Sequence, residues 1–108
     1  DDRIMEMCFG TYEGIENSFE IPDCPINVLF KDPVNYIPVE NGESFEQLFA
    51  RTGEFLEQAV RPQLEDGKDV LIVGHGAMNS SIVCQIKNEP LENFWKAGIK
   101  NCKLMKLI

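Results

Sequence analysis

The chain holds a single histidine, His75, among 108 residues. Its cysteines do not make up for that scarcity. Cys8, Cys24, Cys84 and Cys102 form no C-x-x-C pair, and without a second histidine no zinc-site spacing exists. No metal is expected, and no cofactor. A disulfide framework stays open, since four is even, but the chain is not small and cysteine-dense as secreted scaffolds are. Reduced thiols in a cytoplasmic protein are the better expectation.

Positive charge is also scarce. Ten Lys and Arg face 18 Asp and Glu, for a net charge of −8. That balance argues against a general binder of nucleic acid or of an anionic membrane, while leaving room for a small local anion site. No window is long and apolar enough to span a bilayer, and no signal peptide is visible. The chain opens "DDRIMEM" without an initiator Met, which fits an internal piece of a longer protein, although trimming gives the same start. The length allows one domain at most, and the ordinary apolar and charged fractions argue for a folded chain.

Residues 3–9, "RIMEMCF", alternate loosely and read as a strand end running into a loop. Gly10 and Gly14 of "GTYEG" punctuate a turn. Residues 15–42 carry Pro22, Pro25, Pro33 and Pro38, and read as a long lid-like loop with short helical pieces. Then Phe45, Leu48, Phe49, Thr52, Phe55, Leu56, Ala59 and Val60 fall at helical spacing. Ser44 is the expected N-cap, with Gln47 completing a capping box. Pro62 should end or kink this helix near Val60, with a further turn to Asp66 and Gly67 as the stop.

The run "VLIV", residues 70–73, has the look of a strand covered on both faces. Residues 77–87 predict a helix that buries Met78, Ile82, Val83 and Ile86. Pro90 should open a short helix carrying Leu91, Phe94 and Trp95, ended by Gly98. The closing "CKLMKLI" reads as a strand. Helices alternating with strands predict an α/β layered fold with a mostly parallel sheet. With only two or three strands, the 108 residues look like half of a domain.

His75 stands in "DVLIVGHGAM", at the carboxyl end of the expected strand, where ligand groups gather in open α/β sheets. Flanking glycines allow close approach to the backbone, and the helix that follows offers N–H groups suited to an anion. There a histidine can donate to a phosphate or carboxylate, or act as acid or base. The plainer alternative is a histidine hydrogen-bonded within a turn. Glu6 and Glu13 bracket "MCFGTY" and the glycine turn, a weak signal by itself. The Phe45–Val60 stripe is helix core. Ser80 lacks the base and oxyanion site a nucleophile needs. "GHGAMNS" lacks the spacing of a Walker phosphate loop.

Taken in order, "RIMEMCFGTYEG", "NGESFEQLFARTGEFLEQ", "DVLIVGHGAMNSSI" and "NCKLMKL" resemble the histidine phosphatase superfamily, which includes cofactor-dependent phosphoglycerate mutases and broad-specificity acid-type phosphatases. The resemblance covers the chain except for the loop near residues 18–38. It implies a three-layer α/β/α domain and a reaction through a phosphohistidine. A histidine of an N-terminal Arg-His-Gly motif attacks phosphorus, and a glutamate protonates the leaving oxygen and then activates water. The family's acid falls on Glu6 and its second histidine on His75. His75 would donate to the phosphoryl oxygens, with the backbone N–H groups of Gly76 and Ala77. Fixed donors suit this chemistry, because a loose phosphoryl transition state spreads charge over three equatorial oxygens. A carboxyl group can protonate the leaving oxygen where burial or nearby phosphate favours its protonated form.

The departures are informative. The Arg-His-Gly motif is absent, and His75 already matches the second position. Arg3, Arg51 and Arg61 do not fall on the family's phosphate-binding arginines, and Ser80 stands where many members carry an arginine. The expectation is therefore the C-terminal part of a single histidine phosphatase domain, residues 1–108. The intact protein would hydrolyse a phosphorylated small molecule, and this chain alone would be inactive. A mutase reaction is the first alternative, with Phe30 and Tyr36 of the 15–42 region as pocket walls. A non-catalytic phosphate-binding or interaction module is the second. Unpaired apolar strands would call for complementation by the N-terminal half or for self-association.

Overall fold

The computed structural model describes residues 1–16 and 20–108. Residues 17–19, inside the expected lid-like segment, lie outside the described residues. The regular elements found are helical: α1 (Asn27–Lys31), α2 (Phe45–Phe55), α3 (Arg61–Glu65), α4 (Gly76–Lys87) and α5 (Phe94–Ala97), with short 3-10 turns between them.

This corrects the expected three-layer α/β/α fold with its mostly parallel sheet. Among the described residues there is no strand, and the one β-type pairing is an isolated antiparallel bridge between Phe9 and Gly42. Residues 3–9 begin with a 3-10 turn at Asp2–Ile4 instead of a strand end. The segments at 70–73 and 102–108 do show strand-like alternation. Ile72 and Leu107 turn inward onto the cluster of Phe55, Val60, Met78 and Ile82, while Leu71, Val73, Leu104 and Ile108 stay exposed. What they lack is a partner. Among the described residues no backbone hydrogen bond joins them to each other or to a neighbour as a ladder would. A strand is defined by pairing across the sheet, and an apolar run cannot supply its own partner. Between these two segments and α4 lies a cleft of about 930 Å³.

α2 forms as its sequence dictates. The Ser44 hydroxyl accepts from the Gln47 N–H at 3.1 Å, and the Gln47 side chain accepts from the Ser44 N–H at 2.9 Å. These two bonds satisfy donors that a helix start leaves unpaired. The stripe of Phe45, Leu48, Thr52 and Phe55 is buried. Pro62 leaves its mark upstream: the turn Leu56–Val60 widens to a π-turn before the helix resumes as α3. Proline has no N–H and its ring crowds the preceding turn, so the ladder widens where the normal bond is missing.

α4 packs most closely against α2. The contact is polar at its centre. Thr52 donates to the Leu48 carbonyl at 2.8 Å and accepts from Gln85 at 2.8 Å, with Ser81 Oγ standing 3.1 Å away. Thr52 thus sits in the apolar stripe by position and in a buried hydrogen-bond network by chemistry, its hydroxyl satisfied as burial requires. α4 ends at Asn88, whose φ of 59° gives the left-handed stop that glycine more often supplies. A second apolar cluster joins Met7, Ile26, Leu29, Phe45, Leu48 and Phe94. The described part of the 15–42 region packs into it through Cys24, Ile26, Leu29 and Tyr36.

Two substitutions test this account. Gly10 has a φ of +53°, and a Cβ there would collide with the Glu40 carbonyl. Gly10→Ala should cost about 2 kcal/mol or more, from the left-handed backbone and the backbone clash together. Ser44→Ala should cost about 1 kcal/mol through loss of the cap. Urea titration checks both, and equal midpoints for wild type and Gly10→Ala would contradict the turn geometry.

Candidate active site

The chain puts His75 at the N-cap of α4, with extended backbone (φ −108°, ψ 171°), and its carbonyl accepts the first helical bond from Asn79 at 2.8 Å. Its side chain makes no capping bond to the helix and is exposed. The N–H groups at the start of α4 are instead met from the far end of the sequence. Glu6 Oε2 accepts from the Ala77 N–H at 3.2 Å, and Glu6 Oε1 accepts from the Met78 N–H at 2.9 Å. Oε1 also accepts from the Met7 N–H at 2.8 Å. A negative group at a helix N-terminus is favoured by the unpaired N–H groups and by the helix dipole. Glu6 is therefore a remote cap for α4, and the turn after His75 is where it binds.

Glu6 and His75 line one cleft of about 810 Å³, together with Cys8, Glu13, Val73 and Gly74. Gly76 borders the carboxylate: a Cβ built on it would stand 3.9 Å from Glu6 Oε2. Of the two glutamates that bracket "MCFGTY", Glu13 turns back locally and accepts from the Phe9 N–H at 2.7 Å. Glu6 is the one that reaches across the fold. Phe30 and Tyr36 lie elsewhere. Phe30 stacks on Trp95 with ring centroids 4.9 Å apart, and Tyr36 is buried edge-on to Phe45 at 5.8 Å. Burial pushes the Tyr36 phenol above its usual pKa, with the Val39 backbone pulling the other way. Neither ring is among the residues lining the cleft. Ser80 is buried beside Gly98.

Beside the cleft stands an ion pair that sequence reasoning passes over. The Arg51 guanidinium grips Glu43 in two places, Nε to Oε2 at 2.6 Å and Nη2 to Oε1 at 2.9 Å. It also donates to the carbonyls of Arg3, at 2.7 Å, and of Glu6, at 3.3 Å. The hydrogen bond to Glu43 raises the Arg51 pKa further above its ordinary value, against the opposing effect of burial. The available signal is that Arg51 flanks the apolar stripe of α2, where a charged residue is half-buried and needs partners.

All four cysteines are free, Cys8 and Cys102 exposed and Cys24 and Cys84 buried. Burial, then the nearby Glu89, raises the Cys84 thiol pKa. Among the described residues no three His, Cys, Asp or Glu side chains gather as a metal site, and no helix is long and apolar enough to cross a membrane.

Known proteins resemble this chain in sequence. The profile of the histidine phosphatase superfamily (branch 1) matches residues 1–108. A Hydrogenobacter thermophilus protein provisionally named phosphoserine phosphatase 2 is 30% identical over 110 residues, which cover 99% of this chain and 52% of that protein. A 2,3-bisphosphoglycerate-dependent phosphoglycerate mutase of Methanococcus vannielii is 28% identical over 99 residues, covering 90% of this chain and 42% of the mutase. The chain thus spans about half the length of the curated relatives it matches. No solved structure matches it significantly. With residues 1–108 all matched by that profile, the chain belongs to the histidine phosphatase superfamily.

Proposed function

We propose that this chain supplies the proton donor, Glu6, and the supporting histidine, His75, of a phosphate monoester hydrolase that works through a phosphohistidine. One observation carries the reading: residues 69 positions apart in sequence share one cleft, with the Glu6 carboxylate bound to the N–H groups that directly follow His75. In the proposed reaction a histidine nitrogen attacks phosphorus. The ester P–O bond breaks, and the leaving oxygen takes the proton of Glu6. Water then gives a proton to the Glu6 carboxylate as it attacks phosphorus, and the P–N bond breaks. His75 and the Gly76 and Ala77 N–H groups stabilise the phosphoryl oxygens, Ala77 by passing its hydrogen bond from Glu6 to the substrate. The chain has one histidine, so the nucleophile comes from outside these 108 residues.

The remaining features fit that reading. The substrate is a phosphorylated small molecule. The exposed side chains of Leu71, Val73, Leu104 and Ile108 form an apolar surface suited to cover by a complementing segment or a second copy. Free thiols favour a reducing, cytoplasmic setting. A mutase is the second reading, favoured by the name of the Methanococcus vannielii relative; there a substrate hydroxyl replaces water as acceptor.

The isolated chain should release no phosphate from p-nitrophenyl phosphate. Turnover that persists after His75→Ala would sink the assignment. In a longer protein carrying the nucleophile, Glu6→Gln should slow alkyl phosphates about 100-fold more than activated aryl phosphates, which need no acid. Loss of the α4 cap alone would slow both classes equally, so the leaving-group dependence of kcat/KM separates acid from cap. Transfer to an added alcohol in place of phosphate release would favour the mutase.

A further inference from the structure

The Arg51–Glu43 pair is joined to the segment that carries Glu6 at several points. Arg51 donates to the carbonyls of Arg3 and Glu6. Glu43 meets the other side of the same segment: its N–H donates to the Cys8 carbonyl at 2.9 Å, and its Oε1 accepts from the Cys8 N–H at 3.3 Å. The backbone is therefore held at residues 3, 6 and 8 from one rigid support, the first turns of α2 and the residue before its cap. Both side chains are largely shielded, at 23% and 13% exposure, so the pair is less screened than a surface pair. A bidentate guanidinium–carboxylate contact also fixes orientation, which a single-point contact would not. Met5 and Cys8 of this segment are exposed and Met7 is buried, and among the described residues no sheet holds it.

We propose that Arg51 and Glu43 are positioning residues that hold the Glu6 carboxylate on the first N–H groups of α4. The role of Glu6 as an acid rests on the reading above; the clamp itself does not. The hydrogen bond from Arg51 to Glu6 goes to the main chain, and the carboxylate's own hydrogen bonds go to N–H groups; the Glu6 charge acts on the guanidinium only through space.

The test uses hydrogen–deuterium exchange of backbone amides in the 108-residue chain, which needs no catalysis. In Arg51→Met the amides of Ala77 and Met78 should exchange about tenfold faster, the worth of one charge-assisted hydrogen bond. Amides in the middle of α2 and α4 should be unchanged. Arg51→Lys should not restore protection, since an ammonium cannot span a carboxylate and two carbonyls at once. Glu43→Gln, which keeps one acceptor for Arg51, should give an intermediate rate and serves as the milder variant. Unchanged exchange at Ala77 and Met78 in a folded Arg51→Met would overturn the proposal. So would loss of the fold in all three variants, since the pair would then hold the whole molecule and not one carboxylate. A positive result with no leaving-group effect in Glu6→Gln would leave the clamp standing and remove the acid.

Discussion

One carboxylate joins the segment near residue 6 to the start of α4, about seventy positions away. α4 begins with N–H groups that no side chain of its own meets, since its N-cap is His75 and the imidazole does not turn back onto the helix. Glu6 meets two of them, at Ala77 and Met78. Buried main-chain donors must be paired, and pairing them with an ion gives a stronger bond than pairing them with a neutral group. The consequence is geometric. Residue 6 cannot move from the turn after His75 without leaving the start of α4 unsatisfied, so the cleft keeps the glutamate and the histidine side by side.

α2 is the support on which this contact rests. On one side its apolar stripe joins the core, and Thr52 fastens it to α4 through Gln85. On its flank Arg51 reaches the segment that carries Glu6. The same helix thus fixes both partners of the Glu6–α4 contact, one through a buried hydroxyl network and the other through an ion pair. Polar networks of this kind stabilise only when every member is satisfied. Arg51 meets that condition: its named donors go to Glu43 and to two carbonyls.

What could be read from the sequence follows from the range of the interactions. The start of α2 was legible because Ser44 and Gln47 are three residues apart and the cap is local. α4 was legible from Met78, Ile82 and Val83, and the disturbance by Pro62 from the chemistry of proline. The strands were not. "VLIV" records that a segment can be covered, but a ladder needs a second segment, and among the described residues neither 70–73 nor 102–108 has one. His75 was legible as a residue in a turn before a helix. Glu6 rose above the other carboxylates only through its resemblance to a family motif, because its partners lie about seventy positions away. Arg51 and Glu43 escaped for the same reason: the contact between them spans eight residues, beyond the spacing at which helical pairs announce themselves.

The choice of contacts around Glu6 has a chemical consequence for the proposed acid. An arginine paired directly with a carboxylate favours its ionised form. A proton donor that was itself the carboxylate of such a pair would give up its proton before the reaction asked for it. Here Glu43 takes the bidentate contact, and the hydrogen bond from Arg51 to Glu6 goes to the carbonyl, with the Glu6 charge acting on the guanidinium through space. The carboxylate is left with neutral N–H donors, one of which, at Ala77, is also proposed to serve the substrate. In the proposed reaction a phosphoryl oxygen takes that N–H, which frees Oε2 of Glu6 while Oε1 keeps its bonds from Met7 and Met78. Fixing the main chain and leaving the carboxylate oxygens to exchange partners lets the proposed acid cap α4 when the cleft is empty and turn to the substrate when it is filled.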